Sequence, residues 1–235
     1  DFKNYFWPRY KYKNIYFSDL RSVLVRIFTQ RIICNLADYV ILQAPGLIDR
    51  LVDASKIYKK KIVWLQNNVS NLRISNAIHP SNKKIKLLFI GPLSHGKGGD
   101  IILGILEQAH LQNINISIRI IGGIARTDQL FYKHRIKKFI SNKSLEINSK
   151  VNYEKVINNI DKSDFIIHFS QVDGSPRAVL ESMARGKIVF TLKHPGVIVL
   201  DKDQQLLKYC DGLSHEEILK LIVNTKENMK LSHNK

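Results

Sequence analysis

The run Phe165-Ile166-Ile167-His168-Phe169 is the feature that most restricts this chain. It is short, and too apolar to alternate, so it reads as a strand buried on both faces. It leads directly into Ser170-Gln171-Val172-Asp173-Gly174-Ser175-Pro176-Arg177-Ala178-Val179-Leu180-Glu181-Ser182-Met183-Ala184-Arg185-Gly186. Gly174 turns the chain, and Pro176 is the residue type favoured at the first helical position. A buried strand that feeds a helix is half of a βαβ unit, and such units build parallel sheets. Asp173 falls in the loop, and Glu181 falls about a turn and a half inside the helix. Between them lie the backbone N–H groups of a helix N-terminus, a ready anion site. Acid, anion cradle and acid in that order suit a ligand with hydroxyls at both ends and phosphate between.

The same alternation recurs along the chain. Ala37 to Gln43 and Lys61 to Val69 read as strands, with a short helix from Leu47 to Ala54 between them. Lys86 to Ile90, Ile116 to Ile121 and Lys187 to Thr191 read as further strands. Helices are expected over Arg21 to Ile33, Asp100 to Ala109 with Asp100 as its cap, Thr127 to Ile140, Tyr153 to Ile160 and Glu216 to Met229. The polar stretch 70–84 reads as a linker. The predicted fold class is α/β: a Rossmann-like, doubly wound parallel sheet over 83–235, preceded by a partial α/β lobe and linker over 1–82.

In open parallel sheets, ligands bind beyond the carboxyl ends of the strands. Two more loops meet that rule. Gly91-Pro92-Leu93-Ser94-His95-Gly96-Lys97-Gly98-Gly99 lets the backbone approach a ligand, and Lys97 offers phosphate a point charge. Ile120-Ile121-Gly122-Gly123 reads equally well as a ligand loop and as a plain strand-to-loop glycine pair. His168 is expected to be a core or strand-end histidine, and Arg185 a surface charge.

These segments resemble retaining glycosyltransferases of the GT-B fold, and glycosyltransferase family 4 (group 1) most of all. The family's paired-acid pattern runs Ser, one or more residues, Glu-Gly-Phe-Pro, then a helix bearing Glu-Ala-Met-Ala-x-Gly. This chain has Ser170, Asp173-Gly174-Ser175-Pro176 and Glu181-Ser182-Met183-Ala184-Arg185-Gly186. The earlier family pattern, Gly-Arg-x-x-x-x-Lys-Gly, is matched by Gly91-Pro92 through Lys97-Gly98. Three departures stand out: Asp173 is one methylene shorter than the family Glu, Ser175 replaces an aromatic, and Pro92 replaces a phosphate-binding Arg. Arg177 or a neighbouring lysine is the candidate substitute for that arginine.

The resemblance implies a nucleotide-sugar donor, linked to UDP or GDP, and an acceptor hydroxyl on a lipid-linked or glycan molecule. It implies that Glu181 binds ribose hydroxyls and Asp173 a hydroxyl of the donor sugar. It faces the backbone from Ser175 to Ala178 toward the diphosphate. The implied donor site is Gly91, Gly96, Lys97, Gly122, Asp173, Gly174, Ser175, Pro176, Arg177, Ala178 and Glu181. Lys97 and Asp173 are its catalytic candidates, and Asp173 is not assigned as a nucleophile. The implied setting is bacterial surface polysaccharide synthesis at the inner membrane face. Much of an acceptor lobe has no counterpart in this sequence, and a chain opening on Asp1 reads as a trimmed product.

The totals narrow the function classes. No Cys-x-x-Cys or His-x-x-x-His spacing occurs, so neither a protein-bound metal nor another cofactor is expected. Two isolated cysteines, Cys34 and Cys210, argue for a reducing compartment. No apolar run of about 18 residues is present, and no secretory leader is recognised, so the expectation is a cytoplasmic protein. The net charge of +17 attracts polyanions and would hold the chain near an anionic membrane. Residues 1–31 add nine aromatics and seven Lys or Arg, which suits either a lipid interface or packing onto a domain. Two readings stay open beside the transferase: a non-catalytic sugar-nucleotide-binding or partner subunit, and a basic nucleic-acid-binding protein. Scattered basic residues without a nucleic-acid motif argue against the last.

Overall fold

The computed structural model describes residues 17–43, 48–55, 59–65, 67, 69, 84–171, 173–200 and 205–233. The aromatic residues before Phe17, the linker over 70–83, and Gln66 and Asn68 of the second expected strand lie outside them. The chain divides into two compact units. The smaller gathers the described residues up to Asn67 together with 173–176 and 194–200. The larger gathers the rest.

In the smaller unit, α1 (Phe17–Leu36) and β1 (Val40–Leu42) are followed by α2 (Ile48–Ser55) and β2 (Ile62–Trp64). The two strands pair in parallel, Val40 opposite Ile62. Each is shorter than its apolar sequence suggests, and Lys61, just before β2, binds the end of α1 instead. Its ammonium donates to the carbonyls of Asn35 (3.0 Å) and Ala37 (2.9 Å) at the C-terminal end of α1.

The larger unit begins with β3 (Ile85–Ile90), α3 (Gly99–Leu111), β4 (Ile116–Ile121), α4 (Gln129–Ser141), β5 (Leu145–Asn148) and α5 (Tyr153–Lys162). It continues with β6 (Phe165–His168), α6 (Arg177–Ala184) and β7 (Val189–Thr191). The short α7 (Pro195–Ile198) falls in the smaller unit; β8 (Leu207–Tyr209) and α8 (His215–His233) complete the larger. Six strands form one parallel sheet in the order β5-β4-β3-β6-β7-β8. This is the expected Rossmann-like sheet. Its order reverses between β3 and β6, which is where such sheets open a crevice at their carboxyl ends.

Hydrophobic burial explains the sheet. Every residue of β6 and β7 is buried, and Leu87, Leu88 and Phe89 of β3 are each at most 2% exposed, so helices cover both faces. Ile102, Leu103 and Leu106 of α3 join Ile218, Leu219 and Ile222 of α8 in the core. Each such side chain contributes about 1.5–3 kcal/mol on burial.

Helix starts are chemically marked. Asn152 caps α5 by accepting a hydrogen bond from the Lys155 amide at 3.0 Å. Ser214 and Glu217 form a reciprocal capping box on α8: the Ser214 amide donates to Glu217 at 2.8 Å, and the Glu217 amide donates to the Ser214 hydroxyl at 3.3 Å. One expected cap is corrected. Gly98, not Asp100, precedes α3 as its cap. The Asp100 carboxylate is taken instead by the His95 ring and by Arg135, the latter at 3.1 Å. It ties the β3–α3 loop to α4.

Candidate functional site

Two glycine loops meet at the carboxyl ends of β3 and β4. The Gly91 amide donates to the Ile121 carbonyl at 2.7 Å, and the Leu93 amide to the Gly123 carbonyl at 2.9 Å. Gly122 has φ +136°, and a Cβ on it would lie 2.5 Å from the carbonyl carbon of Gly91. The backbones therefore touch with no room for a side chain. Of the predicted donor residues, the structure thus brings Gly91 and Gly122 into direct contact.

Beyond Gly91 the loop makes a single 3₁₀ turn, His95–Lys97, and reaches Gly98. Gly96 and Lys97 sit half-buried in that turn. Gly98 has φ +78°, and a Cβ there would stand 2.3 Å from the Cβ of Phe169 and 2.6 Å from its carbonyl oxygen. Phe169 is the first residue after β6. The loop of β3 and the end of β6 are thus closed onto each other, at the point where the strand order reverses. Pro92 is exposed.

Glu181 stands in the second turn of α6 and is only 6% exposed. A carboxylate at this depth needs compensation. Arg177, four residues earlier, supplies it loosely: its guanidinium lies 3.4 Å away while staying 70% exposed. Burial raises the Glu181 pKa above the usual carboxylate value, and Arg177 offsets part of that rise. Pro176 stands just before Arg177, the first residue of α6. Ala178 accepts a hydrogen bond from the Ser182 hydroxyl at 2.6 Å.

Asp173, Gly174, Ser175 and Pro176 belong to the smaller unit. There the Asp173 carboxylate accepts from the Ser175 amide at 3.3 Å, folding the loop back on itself. His194 approaches from the other side, its Nδ1 3.1 Å from the Asp173 carbonyl. Gly196 in α7 presses on the same loop; a Cβ on it would lie 2.3 Å from the Asp173 carbonyl oxygen and 2.7 Å from that of Gly174. Asn67 donates to the Ser175 carbonyl at 3.4 Å.

Arg185 is corrected. Expected as a surface charge, its side chain is 15% exposed and chelates Asp161, with Nε at 2.8 Å and a second contact from the other arm of the guanidinium. Beside it Lys187, which reads in sequence as the flank of a strand, is buried. Its ammonium donates to the carbonyls of Asp161 and Ser163, both at 2.9 Å. Burial lowers its pKa, opposed by Asp161 and Asp164. These groups pin the start of β6 and are structural. His168 is a buried strand-end histidine, as expected.

Sequence reasoning missed Gly98 as the closure point and His194 as a support for the Asp173 turn. The first was visible in the Lys97-Gly98-Gly99 run; the second carries no sequence signal. Among the described residues, no group of three or more His, Cys, Asp or Glu could hold a metal ion. Nor is any described helix long and apolar enough to cross a membrane.

Residues 71–234 match the model of the family described as glycosyl transferases group 1. No curated protein matches the chain. Among solved structures, it is similar to Anabaena Alr3699/HepE in complex with UDP and glucose, with TM-score 0.69 and 17% identity over 87% of this chain and 58% of that one. It is also similar to the pneumococcal O-GlcNAc transferase GtfA in complex with UDP and GlcNAc, with TM-score 0.65 and 14% identity over 87% and 40% of the two chains. A third similar structure is WaaG, a glycosyltransferase involved in lipopolysaccharide biosynthesis, with TM-score 0.65 and 14% identity over 80% and 53%. The chain therefore spans less than two thirds of the length of each, and at these identities the likeness is one of fold.

Proposed function

We propose, for a chain that belongs to the glycosyl transferases group 1, that it transfers a hexose from a nucleotide-sugar donor to an acceptor hydroxyl with retention of configuration, as a glycosyltransferase of the family 4 type. The observation that carries this reading is Glu181: a buried carboxylate, weakly compensated, on the helix that follows the central strand β6. A protein gains nothing in stability from such a group. A ribose with two adjacent hydroxyls would give it two donors. UDP in the solved structures of HepE and GtfA supports a uridine donor over a guanosine one.

Each predicted residue then has a task. Gly91 and Gly96 let the backbone approach the nucleotide, and Gly122 closes its own loop onto Gly91 at the strand ends. Lys97 and the first amides of α6, from Arg177 and Ala178, face the diphosphate, with the Arg177 guanidinium in place of the arginine that Pro92 lacks. Asp173 accepts from a hydroxyl of the donor sugar, and Gly174, Ser175 and Pro176 set the turn that aims it. In the reaction the bond from the anomeric carbon to the diphosphate oxygen breaks, and the electron pair leaves with the diphosphate. The acceptor oxygen bonds to that carbon and passes its proton to the departing diphosphate oxygen. Lys97 stabilises the negative charge that develops on the leaving group. Residues 1–82 are the acceptor-side portion and 83–235 the donor-side portion. The acceptor is a lipid-linked or glycan molecule of bacterial surface polysaccharide synthesis, met at the cytoplasmic membrane face. No metal or other cofactor is required.

Pro92 favours a second reading, a subunit that binds the nucleotide sugar without turning it over. Calorimetry with UDP, GDP and their sugars tests the shared claim, since neither reading survives if no nucleotide binds. Release of nucleotide in the presence of a lipid-linked acceptor then separates the two.

A further inference from the structure

We infer that the outward face of α4 docks on an anionic lipid bilayer. Among the described residues, α4 is the one α-helix that carries Lys or Arg and no carboxylate. Lys133, Arg135, Lys137 and Lys138 fall within it, and no Asp or Glu occurs from Gln129 to Leu145. Its inner face is apolar and buried: Tyr132, Ile136 and Phe139 join the core. Arg135 turns sideways to Asp100 and Glu107. Lys133, His134, Lys137 and Lys138 are left on the exposed side. Lys133 and Lys137 lie four residues apart, one turn above the other.

The helix is about 20 Å long at 1.5 Å per residue. Its positive surface continues past the C-terminal end. Lys143 is exposed there, and the Lys84 ammonium reaches its carbonyl at 3.3 Å, adding a further charge.

Apolar groups decide between the polyanions that could meet this face. Leu130 is 85% exposed at the start of the helix, Phe131 48%, and Ile140 47% near its end. A phosphodiester backbone offers these side chains nothing. A bilayer surface offers both parts a place: lysine ammonium groups at the level of the headgroups, and Leu130, Phe131 and Ile140 against the acyl boundary. This docking is independent of the proposed sugar transfer, since none of these residues was assigned to the donor site.

The test is co-sedimentation of the full chain with vesicles of mixed phosphatidylglycerol and phosphatidylcholine, against vesicles of phosphatidylcholine alone. Binding is expected to need the anionic lipid and to weaken as salt rises. Changing Lys133→Gln, Lys137→Gln and Lys138→Gln together should lower the partition coefficient roughly a hundredfold, about fivefold per lysine. The matching triple Lys→Arg variant, which keeps the charge, should bind as the native chain does. UDP affinity, measured beside it, should be the same in all three proteins. The inference is overturned if the glutamine variant binds like the native chain, if the arginine variant loses binding, or if phosphatidylcholine alone suffices. It is also overturned if a single-stranded oligonucleotide binds more tightly through the same three lysines.

Discussion

Gly98 and Phe169 meet backbone to backbone, so that a methyl group on Gly98 would stand 2.6 Å from the Phe169 carbonyl oxygen. This contact seals the loop of β3 against the end of β6. Gly98→Ala meets two penalties there, a left-handed backbone and an overlap with main-chain atoms that cannot swing aside. Together they should cost about 3 kcal/mol, measured as a lower urea midpoint with an unchanged slope. An alanine variant as stable as the native chain would show that the loop is free to move.

The half-buried pair Arg185–Asp161 and the exposed Arg177 give a contrast in stability. Arg185→Ala leaves Asp161 half-buried with its guanidinium gone, and should destabilise the fold by about 2–3 kcal/mol. Arg177→Ala removes a mostly solvated group and should cost less than about 1 kcal/mol. Chemical denaturation of both variants checks the order. Nucleotide affinity should respond in the opposite sense, falling with Arg177 and holding with Arg185 wherever the fold survives.

How much of this was legible beforehand depends on burial. β3, β6 and β7 announce themselves because strands covered on both faces must be apolar at nearly every residue, and β4 because isoleucine fills four of its six positions. β5 (Leu-Glu-Ile-Asn) and β8 (Leu-Lys-Tyr) lie at the two edges of the sheet and carry polar residues, so neither was foreseen. Asp100 reads as a cap because Asp often is one; a tertiary partner, Arg135, claims it instead. Arg185 looks like a surface charge because its compensation, the Asp161 carboxylate, comes from a segment 24 residues away. The pairing of Gly91 with Gly122 likewise follows from strand order, which no single loop encodes.

Glu181 should cost stability in the absence of ligand, and the cost should depend on pH. Its folded pKa is raised, so the native state holds a proton more firmly than the unfolded chain does. Stability is then lost as pH climbs from about 4.5 through the raised value. Glu181→Gln lacks this titration. The two proteins should be equally stable in acid, and the glutamine variant should gain on the native chain as pH approaches neutrality. Thermal midpoints across that range would show it; a constant difference would mean that burial of the charge carries no penalty.

Lys97 should act on turnover more than on binding. If it answers charge that develops on the departing diphosphate, Lys97→Ala should lower kcat on the order of a hundredfold or more, with a smaller change in KM. Single-turnover release of UDP from its sugar measures this. A rise in KM alone would make Lys97 a binding residue without a part in the chemical step.

The most direct measurement is calorimetric titration of UDP into the native chain and into Glu181→Ala. Loss of charge-assisted hydrogen bonds to the ribose predicts affinity lower by about 10- to 100-fold, with Glu181→Ala folded at least as firmly as the native protein. Equal UDP affinity in the two would mean that the buried carboxylate does not hold the nucleotide, and would contradict the assignment on which the proposed function rests.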